Sequence, residues 1–453
     1  MEHQQTRQLE ESPIAQLLIK FSIPAVIGTF INSLYNVVDR IFIGQGVGPD
    51  GLAAAMISFP LVVIVMAFGM LIAFGSNALI SIRLGEKNKD EAEKILGQAL
   101  VLFFAFAAVF TTLGLVFLTP LLKLFGASSS VLPLAQDYMQ IILIGTLSHE
   151  ISFGVNNFIR GEGNFRIAML TMLVGAGMNM ILDPIFIFGL DLGMRGAAWA
   201  TVISQSLAAV WVMWYYLSGR SVLKIRRKYL QVSWDLSRRV MGIGSPPFVM
   251  NIANVFILAI VNNSLKLYGG DIAISVMGVI FTIYTLNFMP VIGISQGAQP
   301  IIGYNYGAQR PDRVRDTLNL AIKIVTIFCV FATLLIMLFP KYTFLPFSRG
   351  EGELVELGTN AIRLVMTMFP FVGFLVIVSN YFQATARPKL SLFLSMMRQV
   401  LAFIPIVFIL PRIIGLYGVW AAYPISAGFS LIFASILYIR ERRKLRLAIA
   451  NLD

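Results

Sequence analysis

Cysteine is almost absent from this chain of 453 residues, and the single Cys329 has no partner for an internal disulfide. It lies in the apolar run "VTIFCVFATLL", where a small buried hydrophobe is the expected role. Histidine is nearly as scarce. With only two, the "HExx" that begins at His149 lacks the second zinc-spaced histidine of a metalloprotease. No GxxxxGK[ST] loop occurs, so nucleotide hydrolysis is not expected. Charge is the third scarcity: 13% of residues are charged and the mean hydropathy is +0.78, which excludes an ordinary water-soluble protein.

Long apolar runs fill the chain instead. Twelve can be marked, at about 14–43, 52–81, 95–118, 134–159, 165–189, 195–217, 239–266, 272–303, 314–339, 357–383, 389–410 and 417–440. Each is long enough to cross the roughly 30 Å hydrocarbon core as a helix. Strand-like alternation is missing, so helices rather than a barrel must satisfy the backbone inside lipid. The polar start "MEHQQTRQLEES" lacks the pattern of a cleaved secretory signal, and the first span is expected to stay in the mature protein.

The formal charge of +12 suggests nucleic acid until its distribution is considered. When the connections are assigned alternately to two sides, 26 of the 35 basic residues fall on one side and 8 on the other, with Arg398 mid-span. The positive-inside rule then places both termini in the cytoplasm of a cell whose cytoplasmic membrane holds the protein, and no nucleic-acid partner is expected. The basic stretch "GRSVLKIRRKYLQVSWDLSRR" reads as a cytoplasmic connection between two halves, with anionic lipid headgroups as a secondary partner. The domain reading is a six-helix lobe over 1–218, the basic connection over 219–238, and a second six-helix lobe over 239–453.

The halves are written on one plan. Pro24 of "SIPAV" matches Pro246 of "GSPPF", Gly85 matches Gly307, and Gly193 matches Gly415, each at an offset of 222. An even number of spans per copy makes the repeat parallel, so the expected fold is all-α: twelve transmembrane helices in two six-helix bundles. The repeat also serves as an internal control. Asp39 falls on Val261, and when Pro184 is laid on Pro405, Asp183 falls on Ile404. Neither acid is therefore explained by the scaffold alone.

A carboxylate in a span costs roughly 2.5–3.5 kcal/mol by insertion-based scales, so it should face a cavity or a partner. Asn32, Asn36 and Asp39 are spaced to share one helix face, as are Asn179 and Asp183. The sixth span adds Thr201, Ser204 and Gln205, and the fourth adds Asn156 and Asn157. Two carboxylates among amide and hydroxyl groups can share a proton or enclose Na+, and sequence does not separate the two. Bonding of Asp39 to Arg40 or to a helix end near the interface, or capping of a turn near "GLDLG" by Asp183, is the structural alternative. Glu150, beside His149, and Arg398 are further in-span charges, with a helix-tying role the leading expectation for Arg398. Pro24 removes a backbone hydrogen bond from the first span and is the expected hinge.

These residues carry a family resemblance. The pattern from Pro24 to Gly44 ending "VDRIFIG", "LDPIFIFG" in the fifth span, "GMRGAAWATVISQ", and "GISQGAQPIIGYNYGA" from Gly293 to Ala308 resemble the multidrug and toxic compound extrusion (MATE) transporters over nearly the whole chain. The resemblance implies a cation-coupled antiporter that exports lipophilic, often cationic drugs or toxic metabolites. It implies a polar cluster at Asp39, Asn179, Asp183 and Thr201, with Asn157 nearby. Spans seven and ten carry no acid, which is similar to the DinF-like branch. The implied coupling ion is H+ or Na+, with no other cofactor, a small lipophilic substrate and membrane lipid as partners, and a monomer. The alternatives are a flippase for lipid-linked saccharides or other amphiphiles, which more arginines than Arg398 would favour, and a passive channel. "YGGD" at 268–271 is only faintly similar to an intramembrane aspartyl protease motif, and the chain is not expected to be an enzyme.

Overall fold

The computed structural model describes residues 8–348 and 352–450, so Arg7 and Arg349 of the basic count lie outside the described residues. The described residues are nearly all helical and contain no strand. In chain order the spans are α1 (Ile14–Gly46), α2 (Pro49–Gly85) and α3 (Lys89–Val116). Helix α4 comprises Leu132–Ile144 and Thr146–Gly161, interrupted at Gly145. Helix α5 runs over Phe165–Pro184 and continues as the π turn Ile185–Gly189, and α6 is Gly193–Leu217. Trp234–Gly307 is divided into α7 and α8 at Gly270, whose φ of 68° and ψ of −164° are not helical. Then come α9 (Pro311–Leu338), α10 (Gly352–Met366 and Phe369–Ala384, bent by 41°), α11 (Pro388–Ile414) and α12 (Leu416–Ala450).

Twelve spans follow, as the apolar runs require. Among the described residues nine helices are long and apolar enough to cross a membrane, one of them the divided Trp234–Gly307, and the bent pair of α10 adds a tenth. The remaining span is α4, broken at Gly145 and carrying His149, Glu150, Asn156, Asn157 and Arg160. Polarity in a span is tolerated only where it turns away from lipid, and Glu150, Asn156, Asn157 and Arg160 are all buried.

The chain divides into two compact units: residues up to Ser12 with Ile23–Phe248, and Pro13–Ser22 with the residues from Val249 on. The internal repeat is visible in the backbone. Left-handed residues recur at the offset of 222: Gly48 (φ 87°) with Gly270 (φ 68°), Lys87 (φ 59°) with Gln309 (φ 55°), and Gly193 (φ 53°) with Gly415 (φ 58°). Helix starts follow local chemistry. Asn88 caps α3 by accepting from the Glu91 N–H at 3.1 Å, and Asn164 caps α5 by accepting from the Ile167 N–H at 3.3 Å. Proline opens α2, α9 and α11, where its missing N–H is not needed.

Within the first unit, α2 and the start of α7 cross closely enough to exclude side chains. A Cβ at Gly244 would fall 1.7 Å from the Leu71 carbonyl oxygen, and one at Gly75 would fall 2.0 Å from that of Val240. The basic connection is docked rather than loose. The buried Glu162 carboxylate accepts from the Ser221 hydroxyl at 2.7 Å and the Val222 N–H at 3.1 Å. The buried Glu93 carboxylate accepts from the Lys224 N–H at 3.2 Å and pairs with Arg226. Gln98 accepts from the Ser233 N–H at 2.8 Å and also pairs with Ser237.

Candidate functional site

Three helices of the first unit bring the acidic cluster together. Asp39 is in the last third of α1, Asn179 and Asp183 are one turn apart on α5, and Thr201 is in the first half of α6. Asp183 and Asn179 are buried, whereas Asp39 and Thr201 are half-buried. The Asn179 amide donates to Asp183 Oδ1 at 3.2 Å and to Thr201 Oγ1 at 3.4 Å. The Asp39 and Asp183 carboxyl groups are within hydrogen-bonding reach of each other. Two carboxyl groups attract only when a proton or a cation lies between them.

The cluster is rich in acceptors and poor in donors. Asp39 Oδ1, Asn179 Oδ1 and Asp183 Oδ2 are each buried with no hydrogen-bond partner. A buried acceptor without a donor is costly, so three such oxygens within one cluster favour added positive charge there. The donor set of carboxylate, amide and hydroxyl oxygens fits Na+, and the paired carboxyl groups fit H+. Among the described residues no group of three or more His, Cys, Asp or Glu side chains is placed to hold a metal ion.

Arg40 lies within electrostatic reach of Asp39 without forming an ion pair with it among the described residues. It is exposed and lies over the Phe59 ring at 5.8 Å. Asp183 accepts from Asn179 and caps no turn. Two tyrosines that sequence reasoning missed border the pair: Tyr35 of α1 and Tyr138 of α4 both lie within the electrostatic reach of Asp39 and Asp183. Tyr35 is one turn before Asp39, and that spacing was the signal that could have found it. Tyr138 comes from a distant span, and no local pattern marks it.

The other candidates are placed differently. Asn32 and Asn36 are exposed on α1, with the Asn36 amide donating to the Asn32 carbonyl at 2.6 Å. Asn157 donates to the Phe153 carbonyl of its own helix at 2.8 Å, and Asn156 keeps Oδ1 buried without a partner. Glu150 faces α2, where a Cβ at Gly69 would fall 2.5 Å from its carboxylate. His149 instead stacks on Phe153 with ring centroids 6.1 Å apart, so the adjacent pair points two ways. Pro24 lies inside the continuous helix α1, immediately after the division between the two units at Ser22 and Ile23. Arg398 belongs to the second unit.

Twelve apolar spans in a parallel repeat, with an unsatisfied oxygen cluster buried in one copy, define a polytopic membrane transporter. A family model described as MatE matches residues 24–185 and again 246–409, and the two matches begin at Pro24 and Pro246, the pair aligned by the repeat. The chain belongs to the MATE family. It is 26% identical over 447 residues to the multidrug export protein MepA of Staphylococcus aureus strain MSSA476, covering 98% of each chain. It is 27% identical to MepA of Staphylococcus haemolyticus, covering 100% of this chain and 99% of that one. Among solved structures, the MATE multidrug transporter DinF-BH is 38% identical with a TM-score of 0.89, covering 96% of both chains.

Proposed function

We propose that this protein is a cation-coupled antiporter of the cytoplasmic membrane, with both termini cytoplasmic, that exports lipophilic and often cationic organic compounds by alternating access. Membership of the MATE family, the multidrug export named for MepA and the multidrug transport named for DinF-BH support the substrate class. The observation that carries the coupling is the buried oxygen cluster: Asp39 Oδ1, Asn179 Oδ1 and Asp183 Oδ2 lack donors while the two carboxyl groups lie within reach of each other. Entry of H+ or Na+ supplies the missing charge, draws α1 and α5 together through Asp39 and Asp183, and stabilises one state of the transporter over the other. Loss of the cation leaves two carboxylates in repulsion and favours the alternative state. Pro24 supports the same reading, because a helix lacking one backbone bond at the division between units is suited to bend there.

The test is efflux of ethidium, a lipophilic cationic dye, from proteoliposomes under separately imposed H+ and Na+ gradients. Wild type responds to one of the two. Asp39→Asn and Asp183→Asn each bind dye and lose gradient-driven efflux. Undiminished efflux in either variant sinks the assignment, and efflux that is the same with either gradient and with none sinks the coupling.

A further inference from the structure

The second unit holds a charged side chain inside a span that the proposed coupling does not use. Arg398 sits in a π turn, Met397–Leu401, within α11, and π turns widen a helix where a side chain must be re-aimed. It is half-buried, and no ion pair joins it among the described residues. Its guanidinium reaches the Tyr284 hydroxyl of α8. Tyr284 in turn packs against Phe369 of α10 with centroids 5.3 Å apart and stacks on Phe288 at 5.6 Å. The next residue, Gln399, donates to Asn254 Oδ1 of α7 at 2.9 Å and keeps its Oε1 buried with no donor.

Two polar pairs, Arg398 with Tyr284 and Gln399 with Asn254, thus join α11 to α8 and to α7, and Arg398 has a positive charge with no anion. A structural tie would need only the neutral hydrogen bonds. The first copy of the repeat manages without it: with Pro184 laid on Pro405, position 398 falls on Gly177. A guanidinium held in a span without a carboxylate is a receptor for one, and the Phe288 ring stacked on Tyr284 suits an apolar body. We propose that Arg398, with Tyr284 and the ring of Phe288, forms an anion subsite that binds the carboxylate, sulfonate or phosphate of an aromatic or lipophilic amphiphile. The protein's ligands then include zwitterionic and anionic amphiphiles beside lipophilic cations, an inference that rests on the export reading above.

The test is equilibrium binding of rhodamine B, which has a free carboxylate, and of its ethyl ester, which does not, to purified protein in neutral detergent. In wild type both bind. Arg398→Met weakens rhodamine B by roughly tenfold or more, the scale of a lost charge-assisted bond, and changes the ester less than about twofold. Arg398→Lys retains part of the carboxylate preference and serves as the comparison should the Met variant not fold. Equal losses for both dyes assign Arg398 to helix tying, and no loss for either places it away from the ligand; each overturns the proposal. A dye-independent measurement separates this from the export reading: dodecanoate raises the melting temperature of wild type and not of the arginine variants, whatever the dyes do. No such difference overturns the subsite even if efflux stands. Displacement of rhodamine B by phosphatidylglycerol identifies a lipid headgroup as the natural occupant and its absence a free amphiphile, and both outcomes support the anion receptor.

Discussion

Asn179 is the side chain on which the geometry of the acidic cluster depends. Its amide donates to Asp183 Oδ1, and the same nitrogen spans to Thr201 on the next helix. Asn179→Ala leaves a buried carboxyl oxygen with no partner, at a cost of about 1–3 kcal/mol. A lowered melting temperature together with impaired efflux is expected, and an unchanged melting temperature would show that the bond contributes nothing. Tyr138→Phe removes a hydroxyl beside the acids with little change in volume. It should leave folding intact and shift the cation concentration at half-maximal efflux. The acids and Asn179 were legible in the sequence because polar residues at helical spacing in an apolar run stand out. Tyr138 was not, because aromatic residues populate every span, and the packing of α4 alone aims this one at the site.

Among the elements, the docked connection and the α2–α7 crossing carry the clearest predictions. Glu162 lies in the turn between α4 and α5, outside the spans, and burial pushes its carboxyl up to about 7, partly offset by donation from Ser221, Val222 and Tyr215. The docked state therefore binds the proton more tightly than the ordinary carboxyl with its value of 4.5. That stabilisation is fully present on the acid side and is lost as pH rises through about 7. Amide exchange at Ser221 and Val222, corrected for its intrinsic rate, should be slower at about pH 6 than at about pH 8 in wild type, and Glu162→Gln should flatten the difference. At the crossing, Gly244→Ala places a methyl group against the backbone of Leu71, which cannot yield as a flexible side chain would. A loss of about 1–3 kcal/mol or more is expected, read as a lower melting temperature; an unchanged value would mean that the helices separate freely. Sequence alone showed a basic connection and a glycine-containing span. It did not show that Glu93, Gln98 and Glu162 anchor the first or that Gly75 and Gly244 meet in the second, because all of these contacts join residues far apart in the chain.

Across the whole molecule the repeat is symmetric in backbone and asymmetric in chemistry. Turn residues recur at the offset of 222, yet Asp39 and Asp183 belong to the first copy and Arg398 to the second. Both π turns lie in the repeat-equivalent spans α5 and α11 but at different positions: one follows Asp183 and Pro184, and the other contains Arg398. The two halves thus share a backbone plan and differ in the polar side chains set on it. Val261→Asp, which copies Asp39 into the second half, should not restore efflux to an Asp39→Asn background, since that half has no counterpart of Asp183. Rescue in the proteoliposome assay would show that the coupling position is interchangeable between halves.

Hydrophobicity and periodicity are local properties, and they determined the solvent, the helices, their number and the parallel repeat from the order of residues alone, since an apolar run must be helical in lipid whatever surrounds it. They also determined which acids were unexplained by the scaffold. Only the tertiary structure decided that Asp39 meets Asp183, that Tyr35 and Tyr138 border them, that His149 and Glu150 point apart, and that Arg398 faces Tyr284 with no carboxylate. Those facts depend on how helices distant in sequence rotate against one another, and rotation is set by the packing of every neighbour at once rather than by the residues of any one span.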